Sequence, residues 1–311
     1  MRKQWNCLSA VVSALSLCLG VEALSQAAAP NTQPESDAYR LVVLAGKPIA
    51  YWRLGEAAGA TQARDETGNG LHGEFKGEPK LGTSGAIKPS SNTSMTVDSR
   101  SYVEIPDDPK LSQPTSGEGL TVEAWLRPDQ LDFSDSAGEN YIHWLGKGGT
   151  GEAEWGFRFY TKGDPERSNR ISAYIWNLEG KLGAGAYSQS PLRVGEWIYI
   201  VACYEPGDSS TPTKPGVRLY KNGLLQQAPP NPGTLYENSP EWSIMPKHGP
   251  APLRLGKRDD KTGLIGGLDE VAVYPRILSP QEIQLHYQIA TGARKPTGAE
   301  WIKLRQLVKP K

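Results

Sequence analysis

Aromatic side chains recur at alternate positions in two segments of the chain, 155–160 and 170–177. Successive side chains of a β-strand point to opposite faces, so inward-facing Phe157 and Phe159 leave their neighbours on the outward face. Aromatic planes pack against the C–H faces of sugars, whose hydroxyl groups need polar neighbours. The outward positions therefore predict a ligand platform made of Arg158, Tyr160, Tyr174 and Trp176, with Trp144 or Trp155 nearby. The alternative is that these aromatics pack beneath loops, because tryptophan is highly buried on average.

Acidic pairs are the next candidates for chemistry, since retaining hydrolysis of a polysaccharide needs two carboxyl groups only ~5–5.5 Å apart. Glu123 has no acid two positions before or after it. Asp269 and Glu270 are adjacent, so a regular strand sends them to opposite faces. Glu152 and Glu154 alternate, but they precede a strand within a glycine-rich loop. With no Gly-x-Ser-x-Gly segment and only scattered histidines, we expect no enzymatic activity, and polysaccharide hydrolysis is a less favoured alternative.

Charge balance excludes one class of partner. The 311 residues carry 34 basic and 34 acidic side chains, without a basic stripe of interleaved aromatics. We therefore expect no binding to nucleic acid.

The N-terminal residues have the layout of a secretory signal peptide. A basic head at 1–3 is followed by an apolar run at 8–21 and by small residues at 23–29. The apolar run is about 14 residues long, whereas a membrane span needs ~20, so we expect cleavage and no stable membrane span afterwards. The predicted location is secreted, periplasmic or at the cell surface. Cys203 then remains as a lone thiol, more typical of a buried small hydrophobic residue than of a nucleophile.

Short alternating segments with glycine-rich separators fill the rest of the chain and predict an antiparallel β-sandwich. The segment 120–128 alternates most cleanly, and Asn222-Gly223 is typical of a type I′ hairpin turn. Ser279, Pro280 and Glu282 form a capping box that predicts a short helix ending near residue 292. We divide the chain into a signal peptide (1–29), a linker or docking segment (30–48), one sandwich domain (49–292) and a basic tail (293–311).

Four segments in this order resemble the LamG-like jelly-roll family, whose members are concanavalin A-like lectins and glucanases and laminin G-like domains. The segments are Tyr51-Trp52-Arg53-Leu54 with the glycine loop 65–73, Leu120 to Pro128, Gly195-Glu196-Trp197 with 217–223, and Leu255-Gly256 with 266–279. The resemblance implies an all-β, two-sheet antiparallel jelly-roll sandwich with a short C-terminal helix.

The same resemblance implies a calcium ion at one rim of the sandwich. The residues that it points to are Asp65, Asn69 and Asp269, and carbonyls of the glycine turn 68–70 would complete the shell of six to eight oxygens. The alternative is that Asp65 braces its own turn and that Asp269 pairs with Arg276 or another cation.

The function predicted from these observations is a secreted, noncatalytic binding module for carbohydrate or another extracellular surface ligand. The alternative is a structural or protein-interaction module of a secreted assembly, which would use the tail at 301–308. The predicted partners are accordingly a glycan or an extracellular protein.

Overall fold

A computed structural model describes residues 37–88, 91–112, 119–133, 140–149, 151–177, 182–205, 216–226 and 248–308. The predicted signal peptide and the first part of the predicted linker lie outside these ranges. Within them, no helix is long and apolar enough to cross a membrane.

Sixteen strands and three α-helices make up the described chain, together with a 3-10 turn at Pro109–Leu111. The strands are β1 Ala50–Trp52, β2 Gln62–Ala63, β3 Gly73–Lys76, β4 Lys80–Ser84, β5 Thr93–Val97, β6 Tyr102–Ile105, β7 Leu120–Pro128, β8 Tyr141–Lys147, β9 Trp155–Tyr160, β10 Ile171–Asn177, β11 Leu182–Tyr187, β12 Ile198–Glu205, β13 Gly216–Lys221, β14 Leu224–Gln226, β15 Leu253–Leu255 and β16 Gly266–Tyr274. The helices are α1 Asp37–Ala45, α2 Pro280–Ala290 and α3 Gly298–Leu307.

The strands form two antiparallel sheets of eight strands each. The first sheet has the order β14-β13-β12-β7-β16-β5-β4, with β1 also paired to β16. The second has the order β11-β10-β9-β8-β15-β6-β3-β2. This architecture confirms the predicted two-sheet sandwich and its C-terminal helix.

The main core lies between the sheets and follows the predicted alternation. In β7, Leu120, Val122, Ala124 and Leu126 all enter this core, as do Phe157 and Phe159 from the second sheet. Leu126 is fully buried. Because an antiparallel strand sends alternate residues to opposite faces, the remaining β7 side chains point away from this core.

A second core lies on the other face of the first sheet, beneath the helices. Tyr39 and Val43 of α1, Trp125 of β7, Tyr199 of β12 and Ile283 of α2 are all buried there. The capping box of α2 is present as predicted, with the Ser279 side chain accepting from the backbone of Glu282. The first sheet is thus covered on both faces, which is why its central strands are almost continuously buried.

Candidate ligand-binding face and buried carboxylates

Outward positions of the second sheet line up in rows across β8, β9, β10 and β11. One row pairs Gly146 with Gly156, Gly156 with Tyr174, and Tyr174 with Gly185. The adjacent row contains His143, Arg158, Ser172 and Tyr187. We call the outward cluster formed around these rows the tyrosine–arginine face; its members are Tyr141, His143, Arg158, Tyr160, Tyr174, Trp176 and Arg258.

Glycines let large side chains lie against the backbone of this face. A Cβ atom added to Gly185 would lie 2.5 Å from a ring carbon of Tyr174. A Cβ atom added to Gly146 would lie 2.9 Å from Cγ of Arg258. These glycines therefore leave room for the Tyr174 ring and the Arg258 side chain. The Tyr174 ring also stacks on Trp176, with ring centroids 5.3 Å apart and planes at 19°.

Arg158 lies at the centre of the face, held by aromatic rings. Its guanidinium carbon is 4.1 Å from the ring centroid of Tyr141 and 4.0 Å from that of Tyr174. It donates a hydrogen bond of 3.3 Å to the Tyr160 hydroxyl, which is also hydrogen-bonded to the Tyr174 hydroxyl. Cation–π contacts of this kind stabilise a desolvated cation by ~2 kcal/mol or more. The face is thus a fixed positive charge framed by three tyrosines.

His143 and Arg258 adjoin the positive charge of Arg158. Burial, and then the positive charges of Arg258 and Arg158, hold the pKa of His143 well below its usual value of 6.5, so its imidazole is neutral at physiological pH. The Arg258 guanidinium lies 5.3 Å from the Trp176 ring centroid and donates to Asp259 at 2.7 Å.

The structure brings together four of the six predicted platform residues and moves the other two into the main core. Trp155 has the same parity as Phe157 in β9, so it faces inward and donates to the Leu111 carbonyl at 2.9 Å. Trp144 has the same parity as Ile142 in β8, so it also faces inward, and the register shift between His143 and Leu145 brings Leu145 into the same core. We therefore withdraw Trp144 and Trp155 as candidates for ligand contact.

The remaining four platform residues face outward but are largely covered. Their exposed fractions are 4% for Arg158, 1% for Tyr160, 4% for Tyr174 and 5% for Trp176. The predicted alternative, that these aromatics are packed rather than openly displayed, describes their exposure better. Tyr141 and Arg258, which are only partly buried, offer the accessible surface of the face.

Sequence reasoning missed three members of the face. Tyr141 and His143 occupy outward positions of β8, so the same alternation that identified Tyr160 could have identified them. Arg258 follows β15 in a turn, and no periodic signal marks it. Its position beside β8 follows only from the strand order, in which β15 pairs with β8.

The three predicted calcium ligands are engaged in hydrogen bonds. The Asp65 carboxylate accepts from the backbone N–H groups of Tyr51, Thr67 and Leu71 at 3.0–3.1 Å, and from the Thr67 hydroxyl. The Asn69 side-chain amide donates to the Ile49 carbonyl at 2.9 Å. Asp65 therefore braces its turn, as in the predicted alternative.

Asp269 lies in a different environment from Asp65. Its carboxylate accepts from the Ala86 backbone at 2.8 Å and from Asn92 at 3.2 Å. Burial, reinforced by the charge of Glu270, raises the pKa of Asp269 well above 3.8. Among the described residues, no three His, Cys, Asp or Glu side chains are grouped so as to hold a metal ion. This donor set does not fit calcium, and Arg276 pairs with Glu282 rather than with Asp269; calcium binding remains a prediction from family resemblance alone.

The adjacent acids Asp269 and Glu270 do not point to opposite faces. Glu270 has a φ of +52°, and the register between β16 and β7 shifts after Asp269. The bulge turns both carboxylates toward Asn92, whose amide donates to Asp269 at 3.2 Å and to Glu270 at 2.9 Å. Glu270 also accepts from Tyr51 and Arg53. Both acids are fully buried and surrounded by hydrogen-bond donors.

A third buried acid, Glu123, joins the first sheet to α2. Its carboxylate accepts from the hydroxyls of Tyr199 and Tyr274 and is 3.0 Å from Nδ1 of His286. Burial raises the pKa of Glu123, but the charge of His286 and the hydrogen bonds from His286, Tyr199 and Tyr274 outweigh burial, so its pKa is lowered. The Glu123 carboxylate therefore links β7 to β12, β16 and α2 by hydrogen bonds within the core.

A family model described as the concanavalin A-like lectin/glucanases superfamily matches residues 97–284. The chain belongs to this superfamily. A search among curated proteins found no significant match.

Several solved structures share the fold. Domain 4 of AbnA, an extracellular arabinanase of Geobacillus stearothermophilus solved with arabinotriose, is 16% identical with a TM-score of 0.50, covering 78% of this chain and 98% of that one. The binding domain of botulinum neurotoxin DC, in complex with SialylT, is 9% identical with a TM-score of 0.53, covering 78% and 52%. The chain thus spans about half the length of the neurotoxin domain. At such identities the likeness shows the fold alone.

Proposed function

We propose that this protein is a secreted, noncatalytic carbohydrate-binding module, and that the tyrosine–arginine face is its binding site. The observation that carries the proposal is the clustering of Tyr141, Tyr160 and Tyr174 around Arg158, with Trp176 stacked on Tyr174 and with Tyr141 and Arg258 as the partly exposed edge of the face. Aromatic planes and fixed hydrogen-bond donors are the two features that a sugar ring requires. The glycan-bound neighbours of the same fold add support, since they show that related sandwiches occur in carbohydrate-binding proteins.

Among the described residues, the acid pairs considered in the sequence form no open carboxylate pair, which supports a noncatalytic role. Each acid pair considered in the sequence is either buried among donors or, in the case of Glu154, held in an ion pair with Lys147 at 2.9 Å. Retaining hydrolysis needs two carboxyl groups that reach the same glycosidic bond. We infer binding without cleavage.

A glycan array with the mature protein, followed by calorimetry on the strongest ligands, tests the proposal. Tyr141→Ala removes a partly exposed ring that packs on Arg158, and we expect it to weaken binding at least tenfold. Trp301→Ala is the matched control, because Trp301 is a partly buried aromatic of α3 that belongs to the second core. Equal effects of the two variants, or release of reducing sugar from a bound glycan, would contradict the proposal.

A protein-interaction role is the second candidate, favoured by the apolar surface of α3. Ile302 and Leu307 of this helix are 62% and 54% exposed. A cavity of about 260 Å³ is lined by Leu307 together with Val42, Leu285, Ile289, Arg294, Pro296, Glu300, Lys303 and Leu304. Under this hypothesis Ile302→Lys abolishes capture of a purified secreted partner, while Tyr141→Ala leaves capture unchanged.

A further inference from the structure

We propose that the tyrosine–arginine face selects acidic glycans, and that Arg158 and Arg258 bind the carboxylate of a sugar acid. This inference rests on the proposed function and adds the charge of the ligand to it. Three features of the face lead to it: a buried cation without an ion-pair partner among the described residues, buried nitrogen atoms without hydrogen-bond partners in the same ranges, and the closeness of Arg158, His143 and Arg258.

The charge of Arg158 has no counterpart among the described residues. The nearby acids are already engaged: Asp259 pairs with Arg258 and Asp164 pairs with Arg167, each at 2.7 Å. Arg158 makes no ion pair with a described Asp or Glu, although only 4% of its surface is exposed. An uncompensated buried charge is strongly destabilising, so such a cation is normally paired. A ligand carboxylate would provide the missing charge.

Three buried nitrogen atoms of this face have no hydrogen-bond partner within the described part of the chain. They are Nε2 of His143, Nε of Arg158 and Nε of Arg258. Buried polar atoms without partners are rare in folded proteins, and each one calls for an explanation. Three such atoms lie together on this face, where a ligand would supply oxygen acceptors.

The three side chains are close enough to act on one sugar unit. His143 and Arg158 are directly paired across β8 and β9, which places their Cβ atoms ~4.5–5.5 Å apart. Arg258 crosses Gly156, since a Cβ atom on that glycine would lie 3.6 Å from Cδ of Arg258. Gly156 is two residues before Arg158 on the same face, a separation of ~6.6 Å along a strand.

The chemistry of the two cations favours a carboxylate over a neutral hydroxyl. A guanidinium presents parallel N–H donors that match the two oxygens of a carboxylate. The rings of Tyr141 and Tyr174 fix the plane of Arg158, and Trp176 fixes that of Arg258, so little side-chain freedom is lost on binding. Neutral His143 can offer a donor or an acceptor without adding a third charge.

Two pairs of probes that differ in charge test the inference by calorimetry on the mature protein. The pairs are 3′-sialyllactose with lactose, and trigalacturonic acid with its methyl ester. We expect at least one acid to bind tenfold or more tightly than its neutral counterpart, with an affinity that falls as salt is raised.

Arg258→Gln should remove this tenfold preference. Its matched control is Arg127→Gln, because Arg127 is a partly buried arginine of the first sheet that pairs with Asp129 and lies over the Trp197 ring, away from the tyrosine–arginine face. Arg158→Lys keeps the charge but loses the planar fork, so it tests the same preference for the acid a second time. Melting curves confirm that each variant is folded.

The outcomes separate the inference from the proposed function. Equal binding of an acid and its neutral counterpart, or a preference kept in Arg258→Gln, would overturn the acidic selectivity and leave glycan binding intact. Binding to neutral glycans only would have the same meaning, whereas binding to sulfated glycans only would overturn the assignment of a carboxylate and leave the selectivity for acidic glycans. Failure to bind any glycan on the array would overturn both.

Discussion

Replacing Glu123 by glutamine should destabilise the protein by about 3 kcal/mol, although the two side chains have nearly the same shape. The carboxylate accepts from the Tyr199 and Tyr274 hydroxyls and contacts His286. Hydrogen bonds to a charged group contribute ~1.5–3 kcal/mol each, and a buried donor left without a partner costs ~1–3 kcal/mol. Glutamine replaces one acceptor oxygen by an amide donor and removes the charge, so the loss combines one unmet donor with a weakened pairing to His286.

Urea unfolding followed by tryptophan fluorescence measures this loss as a shift in midpoint at constant m-value. Glu74→Gln is the matched control, because Glu74 forms an exposed ion pair with Lys76 and its removal should leave the midpoint unchanged. A loss below about 1 kcal/mol for Glu123→Gln would refute the view that this network joins α2 to the sheet.

The pH dependence of the same variant provides a further check. The folded-state pKa of Glu123 is lowered below its unfolded value of ~4.3. A lowered carboxyl pKa contributes stability that is fully present above the unfolded pKa and is lost as the pH falls through the folded one. The difference in unfolding free energy between the parent and Glu123→Gln should therefore shrink as the pH is lowered below about 4.

Four further outcomes are expected. Leu126→Ala should cost ~2–5 kcal/mol of unfolding free energy, measured by urea unfolding, because it leaves a cavity between the sheets. Asp65→Ala should lower the melting temperature equally with calcium and with chelator, since its carboxylate holds backbone N–H groups; a calcium-dependent rise in the parent would instead establish the metal site. Cys203 should react with thiol reagents only after unfolding, because burial raises its pKa to about 11; modification of the native protein would contradict this. Mass spectrometry of the exported protein should place its first residue between 24 and 30, and an intact Met1 would refute the signal peptide.

Features that depend on local sequence could be predicted. The alternation of β7 correctly identified Leu126 as a core residue, and the capping box correctly placed the start of α2. The Asn222-Gly223 turn also joins β13 to β14, with both residues at positive φ. Each of these depends on side chains within a few residues of one another, so periodicity and turn chemistry are sufficient.

Features that depend on register could not be predicted. The bulge at Glu270 reverses the expected orientation of one carboxylate, and the bulge after His143 turns Leu145 inward beside Trp144. Strict alternation has no means of signalling an extra residue, because a bulge is determined by the partner strand. The burial of Glu123 could not be predicted either, because its partners lie on β12, β16 and α2, far away in sequence.

The glycines of the second sheet show how local sequence and strand pairing combine. In the sequence, Gly146, Gly156 and Gly185 resemble ordinary separators and interruptions of short strands. In the paired sheet they surround Tyr174 in one row, and their missing side chains leave the space that the Tyr174 ring and Arg258 occupy. Glycine weakens a strand, so three of them in one row of a sheet are most easily explained by a close approach that a Cβ atom would prevent. The outward aromatics could therefore be predicted from alternation, whereas the surface on which they lie is defined only when the strands are paired.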